Sequence, residues 1–211
     1  MPAHTPAAAE DLFPELLAGV ASPRASVRFR SAKTLALLAG ETPEAAYPHF
    51  DSFLKLLDSE NSILRWNAMR MLAALAPADR EGKLEAVLPK YLSAIAGPQM
   101  IGAATAMQGA AAIALAQPHL AERLAQAILG VRRARYETDE CKNVAMGHAI
   151  KALDRFFDLI DDQATVLRFV RGQLDNSRPA TQAKARDFLK RRGEAGSGKR
   201  AARRASARSK A

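Results

Sequence analysis

Cysteine is almost missing from this sequence. Cys141 is the only one in 211 residues, so no disulfide can form within the chain and a small disulfide-stapled fold is excluded. Aromatic residues are scarce, at 6%, and runs of Val, Ile, Thr and Tyr that would mark strands are few. Ala, Leu, Met, Arg and Lys dominate instead, the residues that lose least free energy in a helix, and an all-α protein is predicted. The N-terminal MPAHTPAAAEDLFPEL has neither a basic n-region nor an apolar h-region. With the lone cysteine, this predicts a cytoplasmic, reducing location.

Signatures of chemistry are lacking too. His4, His49, His119 and His148 are scattered, without Cys, His or Glu partners at metal-ligand spacing, and there is no glycine-rich phosphate loop or nucleophile elbow. The expectation is therefore no enzyme, no metal, no cofactor and no small-molecule substrate. Cys141 and His148 share one helix face at a spacing of seven, but two helical turns hold them about 10 Å apart. They cannot form a thiol–imidazole pair, and a small buried thiol and a histidine at the edge of the packing are expected. Tyr136, Phe156 and Phe157 are expected in the core.

Charge is absent from one long stretch, Tyr91 to Ala121. Its centre, PQMIGAATAMQGAAAIALAQP, is bounded by Pro98 and Pro118 and owes its lack of charge mainly to Ala and Gly. These supply little transfer free energy compared with the roughly 20 Leu/Ile/Phe-rich residues that a membrane span wants, so no membrane association is expected. The run is read as the middle helix of the core, with Gly102, Ala106, Gly109 and Ala110 letting its neighbours approach closely.

What the sequence does have is a basic end and a repeat. The formal net charge is +9, and nearly all of it lies at the C-terminus. There Lys190, Arg191, Arg192, Lys199, Arg200, Arg203, Arg204, Arg208 and Lys210 face Glu194 alone. This tail has no large apolar residue and cannot bury enough surface to offset the entropy of ordering it. The expected organisation is a disordered N-terminus (1–9), a folded region (10–192) and a disordered basic tail (193–211). Arg191, Arg192, Lys199, Arg200, Arg203, Arg204, Arg208 and Lys210 are candidate nucleic-acid contacts of a non-specific kind, each neutralised phosphate adding about 0.9 to the salt slope of binding. Arg203-Arg204-Ala205-Ser206 is also a short match to a basic-directed phosphorylation motif.

The repeat is seen by setting VRFRSAKTLALLA (27–39) beside LRWNAMRMLAALA (64–76). An offset of 37 aligns Arg28 with Arg65, Phe29 with Trp66, Leu35 with Leu72 and Leu38 with Leu75. Before these come LFPELLAGVASP and AYPHFDSFLKLLDSE, and a third such segment, VLPKYLSAIAGP, follows. Each sets a proline (Pro14, Pro48, Pro89) shortly after an apolar residue and ends in a break. Two helices per unit are implied, and a period of this length points to a solenoid.

This pattern, a proline-bent first helix, a turn, and a second helix opening Val/Leu-Arg and continuing Ala-x-x-x-Leu, resembles the HEAT repeat. The likeness is clearest in AYPHFDSFLKLLDSENSILRWNAMRMLAALA. The third unit departs from it, with Ile101-Gly102 where Arg is expected, and the fourth and fifth keep only the helix-pair rhythm. The resemblance implies a right-handed α-solenoid of about five helix pairs whose second helices line a concave surface. On that surface would stand Arg24, Arg28, Arg30, Lys33, Arg65 and Arg70, with Trp66, giving a basic inner face and an acidic outer one. Trp66 and Phe29 could stack on a base or a peptide, or belong to the core. Arg28 and Arg65 could instead be structural, pairing with acids such as Asp58 in the turns. The function expected is a non-catalytic binding scaffold that holds an acidic protein or nucleic acid on this face. The alternative is a HEAT-like DNA glycosylase of the alkylation-repair type, which would need a carboxylate beside its aromatic residues.

Overall fold

The computed structural model describes residues 12–192, and all regular structure among them is helical. The expected N-terminal segment 1–9 and tail 193–211 lie outside the described residues. Ten principal helices follow one another as five pairs. They are α1 (Leu12–Val20) with α2 (Ala25–Glu41), α3 (Phe50–Leu56) with α4 (Ser62–Ala74), and α5 (Lys83–Leu92) with α6 (Met100–Ala116). Then come α7 (Ala121–Leu129) with α8 (Asp139–Arg155), and α9 (Gln163–Arg171) with α10 (residues 179–192).

The boundaries follow from local chemistry. Asn61 caps α4 by accepting the Ile63 and Leu64 N–H groups, Thr138 caps α8 by accepting that of Cys141, and Asp162 caps α9 by accepting that of Thr165. Pro48 and Pro118 stand in the first turns of short 3-10 segments that lead into α3 and α7, where a missing N–H removes no helical bond. Pro89 lies inside α5 and removes one of its hydrogen bonds.

The second helices stack in series, α2 on α4, α4 on α6, α6 on α8, and in the first four pairs each first helix packs on its own partner. The core is continuous along the stack, from Phe13 to Phe188. α6 lies between α4 and α8 with α5 and α7 also against it. Between Ile101 and Leu115 only those two residues and Gln108 are exposed, with Ala112 half-buried. The absence of charge here thus has a packing cause, since a charged side chain at the buried positions would lose its hydration without a partner. Among the described residues, no helix is long and apolar enough to cross a membrane.

One buried acid ties the pairs together. Asp79 accepts the Lys83 and Leu84 N–H groups at 2.9 Å each, the Tyr47 hydroxyl at 2.8 Å and the Gln117 amide at 3.3 Å. Its donors come from the approach to α3, from the start of α5 and from the turn after α6, so a single satisfied carboxylate ties the second unit to both ends of the third.

Candidate binding surface

The aligned arginines are held by the fold. Arg65 donates through Nη1 to the Ser59 and Glu60 carbonyls at 2.6 and 2.9 Å, and through Nη2 to Ser62 Oγ at 3.0 Å and Gln99 Oε1 at 3.3 Å. Arg28 donates to the Ser22 carbonyl at 3.0 Å. Both guanidinium groups therefore reach six residues back to the turn before their own helix, and the 37-residue repeat is visible in the hydrogen bonds. Their partners are carbonyl and hydroxyl oxygens, not acids. Asp58 is taken by Lys90 Nζ at 2.6 Å.

The remaining candidates stand differently. Because α2, α4 and α6 begin at 25, 62 and 100, Lys33, Arg70 and Gln108 occupy equivalent positions, as do Leu37, Ala74 and Ala112, and Ser26, Ile63 and Ile101. Arg24, Arg30, Lys33 and Arg70 are exposed, and their charged groups make no hydrogen bond or ion pair among the described residues. Exposed large apolar side chains lie on the same helices: Leu37 is 58% exposed, Ile101 48%, Leu115 46% and Ile63 41%. Sequence reasoning missed this apolar component. Carrying the register from α4 to α6 would have found it, since it sets Ile63 and Ile101 at the same outward position as the exposed Ser26.

Trp66 is half-buried and lines a groove of about 450 Å³ with Asp58, Arg65, Lys90, Gln99 and Gly102. A Cβ on Gly102 would sit 3.4 Å from the indole Nε1. By the helix register Gly102 stands where Val27 and Leu64 do, and a methyl group there would be in ordinary contact with the indole of the second unit. Phe29 is half-buried against the core.

Phe156 and Phe157 are buried, at 2% and 4% exposure. Tyr136 is half-buried and donates to the Ile95 carbonyl at 2.7 Å, and burial pushes its phenol up to about 12. Cys141 and His148 are both half-buried. Arg191 and Arg192, grouped by sequence with the tail, sit at the end of α10. Arg191 pairs with Asp154 at 2.6 Å, and Arg192 pairs with Asp154 at 3.0 Å and Asp158 at 2.7 Å. The other tail candidates, Lys199, Arg200, Arg203, Arg204, Arg208 and Lys210, lie outside the described residues. Among the described residues no group of three or more His, Cys, Asp or Glu side chains could hold a metal ion.

No family model matches this sequence, and no curated protein matches it. Among solved structures the chain is similar to the crystal structure of an engineered protein from a structural genomics consortium, with 16% identity and a TM-score of 0.53, over 89% of this chain and 84% of that one. At this identity the likeness is one of fold alone. Fold and packing together define an all-α protein of successive helix pairs with solenoid-like stacking.

Proposed function

We propose that the chain is a HEAT-type, right-handed solenoid that serves as a non-catalytic binding scaffold, holding an acidic protein segment against its second-helix layer. The basic tail adds non-specific attraction for nucleic acid. The observation that carries this reading is the set of exposed, unpaired cations Arg30, Lys33 and Arg70 on neighbouring helices. Direct packing between successive second helices, against fewer contacts between successive first helices, supports placing the second helices on the shorter, concave arc. The exposed Leu37, Ile63, Ile101 and Leu115 favour a protein segment over a nucleic acid as occupant of this face. A phosphate backbone offers such side chains nothing, whereas an acidic segment with apolar side chains matches both features.

The test compares a labelled acidic amphipathic peptide with a labelled DNA duplex across a salt series. It uses the full chain, a chain ending at residue 192, and a triple variant Arg30→Ala/Lys33→Ala/Arg70→Ala. The peptide should bind the first two equally and the triple variant at least about tenfold more weakly, a loss of about 1.4 kcal/mol. DNA binding should depend on the tail and weaken steeply with salt. Peptide binding that is unchanged in the triple variant would refute the proposal. The glycosylase reading has one observation in its favour, since Asp58 lines the same groove as Trp66. Lys90 holds that carboxylate, however, and failure to release modified bases from alkylated DNA would end that alternative.

A further inference from the structure

A second cluster of cations lies at the other end of the stack, where α10 crosses α8. Gly147 is buried on α8, and a Cβ there would meet Lys184 Nζ at 3.1 Å, Lys184 Cδ at 3.4 Å and Thr181 Oγ1 at 2.9 Å. The Lys184 side chain thus lies along the α8 backbone, with its ammonium in the notch that the glycine leaves. The loop before α10 is anchored around it. Thr181 donates to the Asn143 carbonyl at 2.8 Å, Asn143 to Ser177 Oγ at 2.8 Å, and Asn176 to Asn143 Oδ1 at 3.1 Å. Beside the notch is His148, whose Nδ1 is sealed from solvent and has no hydrogen-bond partner.

The charges that act on His148 come from Lys184 and Arg178, at the α10 side, and from Lys151 on its own helix; α6, which packs on α8, carries no charged residue. Arg178 is held by Glu140 at 2.7 Å. Lys151 and Lys184 have no acid partner among the described residues. Burial first, and then these neighbouring cations, hold both the His148 imidazole and the Lys184 ammonium below their ordinary values. Lys184, half-buried, and Lys151, exposed, repel each other where neither has an acid partner among the described residues, and an anion seated between them would relieve that repulsion. Lys151 follows Gly147 by one helical turn and the Lys184 ammonium lies over Gly147, so the two cations share one face of α8, which suits a compact anion with several oxygens better than an extended polymer backbone.

We propose that Lys184, Lys151 and His148 form a binding site for a tetrahedral oxyanion of the phosphate class, beside the notch in which Gly147 seats the Lys184 side chain. This site is independent of the acidic-segment reading, whose residues lie on α2, α4 and α6. The imidazole and the ammonium groups are donors to the anion's oxygens, and Arg178 remains with Glu140 at the rim.

The experiment follows the His148 ring signals of the full-length protein by NMR, titrated from pH 8 to 5 in sodium sulfate and in sodium chloride at matched ionic strength. Sulfate stays doubly charged across that range. His119, which is exposed in the 3-10 turn leading into α7, serves as the internal reference. Sulfate should raise the His148 pKa by about one unit, the signature of a roughly tenfold preference of the anion for the protonated ring, and leave His119 unchanged. Inorganic phosphate at constant pH should shift the His148 signals saturably. Lys184→Gln should weaken that binding about tenfold while retaining the thermal transition. If Lys184→Gln does not fold, Lys151→Gln, at an exposed position, supplies the same comparison. An equal response of His148 and His119, or a shift that neither substitution reduces, would overturn the proposal.

Discussion

Substituting Gly109 by alanine tests the close approach on which the stack depends. Gly109 is buried on α6, and a Cβ there would collide with the Tyr91 hydroxyl and come within 2.9 Å of Ala73 Cβ on α4. Tyr91 is fully enclosed and donates to the Met69 carbonyl at 3.2 Å, so the ring cannot swing aside without losing that bond. Overpacking costs about 1–3 kcal/mol, and leaving buried polar groups unpaired about 1–3 kcal/mol more. The better helix propensity of alanine returns about 1 kcal/mol. A net loss of about 2–4 kcal/mol is expected, seen as a fall in Tm of about 10 °C for a domain of this size. Gly40→Ala is the control, because nothing lies within 4 Å of a Cβ at that exposed position. It should be neutral or stabilise by up to about 1 kcal/mol. Tyr91→Phe removes the hydroxyl that the introduced methyl group would strike, so the double substitution should be more stable than the sum of the two singles by about 1 kcal/mol or more. Thermal and urea unfolding of the four variants decide the matter. A Gly109→Ala protein as stable as Gly40→Ala, or strict additivity with Tyr91→Phe, would refute the packing argument.

Arg65→Ala should cost about 1–3 kcal/mol in urea unfolding, because it strips two hydrogen bonds from the turn before α4 and one each from Ser62 and Gln99. Arg30→Ala and Arg70→Ala should each stay within about 0.5 kcal/mol of the parent. A chain ending at residue 190 should melt several degrees below one ending at 192. Only the longer keeps the Arg192 bonds to Asp154 and Asp158 and its guanidinium 5.5 Å from the centroid of the Phe157 ring, and equal melting would argue that this clamp contributes nothing. His148 is held below its ordinary pKa by burial and then by nearby cations, so the unfolded chain takes up its proton first as pH falls. Its contribution is therefore fully present above about 6.5, the ordinary value for histidine, and is lost as pH drops from there toward the folded value. His148→Gln should flatten the stability profile in that window.

Much of the fold was legible because repetition leaves traces that single helices do not. The likeness of 27–39 to 64–76 placed α2 and α4 in equivalent settings, and the uncharged run announced α6 as a helix enclosed on most sides. Side-chain partners were harder to read. An acid is the partner a sequence suggests for Arg65, yet it bonds main-chain carbonyls, which exist at every residue and so mark no position in a sequence. His148 and Lys184 are brought together only by α10 lying on α8, in the two units where the pattern is weakest.

A rule that would have revealed more is contained in the spacing of the inter-unit ion pairs. Glu85 meets Arg123, Glu140 meets Arg178 and Asp154 meets Arg192, each separated by 38 residues. In these places an acid in one unit faces an arginine one repeat later, as expected where stacking sets complementary charges side by side. On α2 and α4, by contrast, Lys33 and Arg70 occupy equivalent positions on packed helices, cation following cation at a spacing of 37. Like charges on packed neighbouring helices oppose the stacking that the acid–arginine pairs favour. A stack tuned only for its own stability would have placed an acid at one of the two positions. On the reading proposed above, a carboxylate of an acidic segment seated between them would relieve that opposition, and the Lys33–Arg70 step is where such a partner would gain most.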